Sequence, residues 1–208
     1  ALALLVSLAG CGSILGGQTP TDQAPVGTAT DGANPTASEP SQTQSETADN
    51  NDGSVSESAR YPESFTPSSS LPYSSDLPVD GYLRIDETQG SGLPKTSSRM
   101  FERTDSATEL GPTALRAAIT IHESTDAASA WITDHTDALR SNGSEITRHS
   151  ISGVSVTMAT GMTGDSMETV VLSRIGNAVV IIHAESPNSA FEEFSLETLR
   201  VVLTKLQA

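Results

Sequence analysis

The side chains with reactive chemistry are few: one cysteine, Cys11, and four histidines, His122, His135, His149 and His183, in a chain of 208 residues. Cys11 closes the stretch Leu8-Ala9-Gly10-Cys11, where an apolar run ends on two small residues. A thiol there is a nucleophile for thioether formation, and small residues before it let an extended backbone enter a peptidase cleft. The histidines are scattered. His122-Glu123 has no second histidine four residues on, which a zinc protease helix requires. Asp134, His135 and Asp137 offer oxygen and nitrogen donors, but adjacent residues on a helix diverge by about 100° and do not converge on one ion. His183 stands among apolar neighbours, as core or edge histidines do. None of these positions predicts a metal centre or a catalytic residue, and no cofactor is expected.

Leu8, Ala9, Gly10 and Cys11 resemble the lipobox of bacterial lipoprotein signal peptides, in which a short aliphatic stretch and two small residues direct lipid transfer to the cysteine. The resemblance implies a signal peptide over 1–10, acylation of Cys11 with chains such as palmitate, and a mature protein that begins at Cys11. Each buried methylene contributes about 0.8 kcal/mol, and a single chain binds only marginally, so two or three chains are needed for lasting attachment to a bilayer. The apolar run is far shorter than the ~20 residues of a membrane span. No initiator Met or basic leader precedes it, so the chain is read as starting inside the signal peptide.

Other short motifs lead nowhere catalytic. Gly164-Asp165-Ser166-Met167 resembles the nucleophile block of one esterase family, but it lies late in the chain and no Asp-x-x-His block follows. Gly161 and Gly164 lack the Lys-Ser/Thr and helix context of a phosphate loop. Asn142-Gly143-Ser144 has the form of a glycosylation triplet and reads better as a helix end. Glu192, Glu193 and Glu197 sit near the start of a helix, where they favour its dipole and solubility.

Charge and composition bound what must position these groups. The net charge is -15, of which about -9 falls on residues 1–80. No basic surface for nucleic acid is expected. Since Cys11 is the single cysteine, an exported domain has no disulfide and rests on core packing. From residue 12 to about 78 the chain is mostly Ser, Thr, Pro, Gln, Gly, Asp and Asn. Such composition buries too little apolar surface to offset ordering entropy, so residues 11–80 are expected to form a disordered linker. Its root-mean-square span would be roughly 40–50 Å. Tyr61, Phe65, Leu71 and Tyr73 add apolar side chains near its end and are candidates for a collar on the following domain.

From Gly81 to Ala208 the pattern is that of a folded domain. Alternation predicts strands over 81–86, 99–104, 115–122, 145–151, 154–160, 167–174 and 178–185. Ser124 and Asp126 predict a helix start, Asn142-Gly143 its end, and Ala128, Trp131, Ile132, His135 and Leu139 its inner face. Ser189 and Glu192 have capping-box spacing before a second helix, whose stripe is Leu196, Leu199, Leu203 and Leu206, widened by Val202. Val179-Val180-Ile181-Ile182 is apolar on both faces and predicts a strand near the centre of the sheet. The expected fold class is α+β: an antiparallel sheet covered by two helices.

The order of elements, and the hairpin Ser173-Arg174-Ile175-Gly176-Asn177-Ala178-Val179-Val180-Ile181-Ile182 leading into the helix from Phe191 to Leu206, resembles the PsbP-like domains of actinobacterial cell-envelope lipoproteins. That resemblance implies an α/β/α sandwich and a binding or scaffolding module more than an enzyme. The expectation is a protein held by acylated Cys11 at the extracytoplasmic face of a bacterial membrane, with an envelope protein or ligand as partner. The competing expectation is an envelope hydrolase with an unrecognised site.

Overall fold

The structure, a computed structural model, describes residues 60–104 and 110–208. Strands β1 (Tyr82–Gln89), β2 (Lys95–Arg103) and β3 (Ala114–Ile121) form one antiparallel meander, and helix α1 (Thr125–Ser141) follows. Strands β4 (Glu145–Ile151), β5 (Val154–Thr163), β6 (Ser166–Ile175) and β7 (Ala178–Ser186) form a second, closed by helix α2 (Glu192–Gln207). The two meanders join through β3 and β7 into one sheet of order β1-β2-β3-β7-β6-β5-β4, antiparallel throughout. The α+β class and the two covering helices are as expected.

The apolar pattern of β7 explains the layering. Val180, Ile182 and Ala184 belong to a large core with Leu199, Val202 and Leu203 of α2. Ile181, on the opposite face, packs with Val170, Leu172 and Trp131 of α1. A strand that is apolar on both faces needs cover on both, and each helix supplies one side. Tight turns fix the register. Ser152 and Gly153 both take positive φ between β4 and β5, and Gly176 does so between β6 and β7. A φ of 51° is rare for a residue with a side chain, and Ser152 accepts it to close a two-residue hairpin.

Helix α1 starts as its sequence predicts. The amide of Ala127 donates to Ser124 Oγ at 3.0 Å, and Gly143 ends the helix at φ 90°. Ala128 is buried, and Trp131, Ile132, His135 and Leu139 are half-buried. Thr136 is buried as well, although polar.

Helix α2 corrects one expectation. Ser189 and Glu192 do not form a capping box: the chain stays irregular through Ser189 and Ala190, and Phe191 is the N-cap, without a side-chain bond. Its amide donates instead to Thr169 Oγ1 of β6 at 3.2 Å, so a sheet hydroxyl does part of the capping. Leu199, Leu203 and Leu206 face the core, joined by Phe194 and Val202, while Leu196 packs at its margin.

Residues 61–79 pack on the same face as α2, so the packed body begins before Gly81. Leu71 is fully buried although its flanks are Ser, Pro and Tyr. Arg99, only 4% exposed, donates to the carbonyls of Leu71 at 2.9 Å and Pro72 at 3.2 Å. The Tyr73 ring covers its guanidinium at 4.4 Å, and Glu87 pairs with it at 3.3 Å. Asn177 closes the collar at its other end, accepting from the Tyr61 amide at 2.7 Å and donating to the carbonyls of Tyr61 and His122. Lys205 of α2 pairs with Asp76 at 2.6 Å. The linker reading therefore fails for 61–79, because a few well-spaced apolar residues suffice when the sheet already offers them a surface. Residues 11–59 lie outside the described residues.

Leu71→Ala should lower the unfolding free energy by about 2–5 kcal/mol in urea titration, whereas Ser69→Ala, on the exposed side of the same segment, should change it little. Matching midpoints for Leu71→Ala and the unaltered chain would show that the collar is not part of the cooperative core.

Candidate functional site

Helix α1 lies over β5, β6 and β7, anchored by Trp131 and Leu139 against Ala159, Val170 and Leu172. Beside this contact a cleft of about 390 Å³ opens between the helix and β4, β5 and β6. The strand register sets its floor. Arg148 of β4 pairs with Thr157 of β5, which pairs with Leu172 of β6, so the three side chains stand in one row on the α1 side of the sheet. Arg174 and Ser155 border the same cleft. The helix contributes Ile132, Thr136 and Arg140, spaced to share a flank.

The electrostatics of this cleft are unlike the rest of an acidic chain. Arg140 is hydrogen-bonded to Asp137 one turn earlier. Arg174 donates to the carbonyl of Gly176 at 3.1 Å, a neutral acceptor, and Arg148 has no ion-pair partner among the described residues. The Thr136 hydroxyl is closed to solvent and has no hydrogen-bond partner among the described residues, whereas Ser129, Thr133 and Ser141 of the same helix each return theirs to the carbonyl four residues back.

The opposite flank of α1 carries three of the four histidines. The His135 ring stacks on Trp131 at 4.6 Å, and His122 lies 6.1 Å from the same indole. His183 Nε2 is 3.5 Å from Glu168 Oε2 on the neighbouring strand. Burial lowers the pKa of His135, and the nearby His183 lowers it further. His122 is lowered by burial against the opposing charge of Glu123. The Glu168 carboxyl is held below its usual range by the contact with His183, then by the charge of that ring and the Thr163 hydroxyl, with burial opposing. A carboxylate that orients an imidazole is half of a nucleophilic set; no Ser or Thr hydroxyl bonds to His183 among the described residues.

The remaining sequence candidates are dispersed. His149 meets only Thr147, at 3.0 Å, on the exposed face of β4. Ser166 opens β6 after the turn at Gly164. Glu192, Glu193 and Glu197 are exposed on α2, and Asn142-Gly143 ends α1. His122-Glu123 sits at the end of β3, and Asp134, His135 and Asp137 do not converge. Among the described residues no group of three or more His, Cys, Asp or Glu is placed to hold a metal ion. No described helix is long and apolar enough to cross a membrane. Leu8, Ala9, Gly10 and Cys11 lie outside the described residues.

The histidine shifts have a direct consequence for pH. A histidine whose folded pKa is depressed contributes stability in its neutral form, and that contribution is lost as pH falls below the unfolded value of about 6.5. The melting temperature should therefore drop between pH 7 and pH 5, and His135→Gln should flatten that slope. An unchanged slope in His135→Gln would remove His135 from the account.

No family model matches the chain, and no curated protein matches it. Among solved structures, a GTP binding regulator from Thermotoga maritima is similar at 15% identity, with a TM-score of 0.40, covering 70% of this chain and 93% of its own, a distance at which the likeness carries no argument about ligand or activity.

Proposed function

We propose that this chain is a lipid-anchored extracytoplasmic protein whose α+β domain, PsbP-like in topology, binds an envelope component or ligand without turnover. The binding role rests on one observation: the cleft beside α1 is lined by three arginines, of which Arg148 and Arg174 have no carboxylate partner among the described residues. The anchoring role rests on Leu8-Ala9-Gly10-Cys11, with the chain's single cysteine where lipid transfer would need it. Acylation there would confine the domain to a bilayer surface and leave the cleft open to whatever lies beside it. The second reading, an envelope hydrolase, draws on the His183 and Glu168 pair as base and orienting group.

In cells fed labelled palmitate, the chain should take up label and sediment with membranes, and Cys11→Ser should do neither. Equal labelling of Cys11→Ser would overturn the anchor. The hydrolase reading would gain if esterase activity were found in the purified chain and lost in His183→Gln.

A further inference from the structure

The cleft beside α1 is more specific than a binding surface in general. The chain has 11 basic residues against 26 acidic ones. Three of the 11, Arg140, Arg148 and Arg174, line this one cleft, with Asp137 as the only carboxylate there. Asp137 is already engaged by Arg140. The guanidiniums of Arg148 and Arg174 have no carboxylate partner among the described residues, in a molecule where carboxylates outnumber them widely.

We infer that this cleft is an oxyanion site that takes a phosphate-type group, free or as part of a phosphorylated ligand. The inference rests on the binding role proposed for the domain and names the chemistry of its ligand. Two unpaired guanidiniums arriving from β4 and β6, with the Asp137-paired Arg140 beside them on α1, suit a group with several charged oxygens, because guanidiniums donate in pairs along fixed directions. A planar carboxylate has two oxygens and is satisfied by one such fork. The Thr157 hydroxyl adds a neutral donor on the floor of the cleft. Three arginines against one aspartate give the cleft a local positive charge in a chain of net charge -15, which favours an anion there.

A lipid headgroup and a soluble molecule both present such a phosphate, and the test separates these. The full chain with Cys11→Ser, which removes the anchor's own hold on bilayers, is titrated with inorganic phosphate at constant ionic strength while amide resonances are followed. Shifts should saturate at millimolar phosphate and centre on Thr157, Arg148 and Arg174. Arg148→Gln, a change at an exposed edge-strand position, should weaken binding about tenfold, and Thr157→Val should weaken it less. Absence of saturable shifts, or equal affinity in Arg148→Gln, overturns the inference, while palmitate labelling of Cys11 decides the anchoring role independently. In a parallel arm, vesicles containing phosphatidylglycerol that bind the chain through Arg148, where pure phosphatidylcholine vesicles do not, assign the site to a lipid headgroup. Phosphate binding without vesicle binding assigns it to a soluble phosphorylated ligand.

Discussion

The structure depends on burying β7 on both faces. Val179, Val180 and Ile182 are fully buried, and each such side chain contributes about 1.5–3 kcal/mol relative to exposure. That burial needs two strand neighbours and two layers of cover. β6 arrives by a hairpin and α2 by the chain's next turn, both local. β3 and α1 come from the other end of the domain, and the β3 and β7 pairing is the one seam that joins the two meanders. Within the sheet, every other strand pairing joins neighbours in sequence, so the sheet's long-range cost of folding is concentrated there.

The same constraint shapes the cleft. α1 crosses from the end of β3 to the far edge strand β4, and its apolar side chains are drawn to β5, β6 and β7, where the second core lies. A single helix does not fill the space over four strands, and a cleft is left beside it toward β4. Most of the residues there are polar or charged, with Ile132 and Leu172 among them. On the opposite flank the same packing presses His135 onto Trp131. The two flanks of one helix thus differ: one rigid and aromatic, one open and cationic.

Much of this architecture was legible in the residues. The alternation of Leu115, Ala117, Ile119 and Ile121, the Ser124 cap, and the Gly143 and Gly176 positions each report a local preference that the tertiary structure keeps. Leu71 was legible only as a candidate for the collar; its full burial comes from a core shared with Phe101 and α2, far away in the chain. Two features were not legible, for physical reasons. The start of α2 ignores the spacing of Ser189 and Glu192 because Thr169 of β6 offers an acceptor that only the folded sheet can place. Arg140, Arg148 and Arg174 belong to three elements with no common spacing, and the acidity of the whole chain conceals them. The lipobox resemblance concerns residues outside those described, and nothing in the fold speaks for or against it.

The sheet is open, with β1 and β4 as its edges. β1 shifts register between Arg84 and Asp86, a bulge that sets Ile85 out of the ladder, and Arg84, Asp86 and Glu87 put charge along the same strand. β4 carries Glu145, Arg148 and His149 exposed on its side. Bulges and charges blunt an edge as a template for further strand pairing. At high local concentration, edges of this kind would let copies of the chain meet repeatedly without zipping into fibrils.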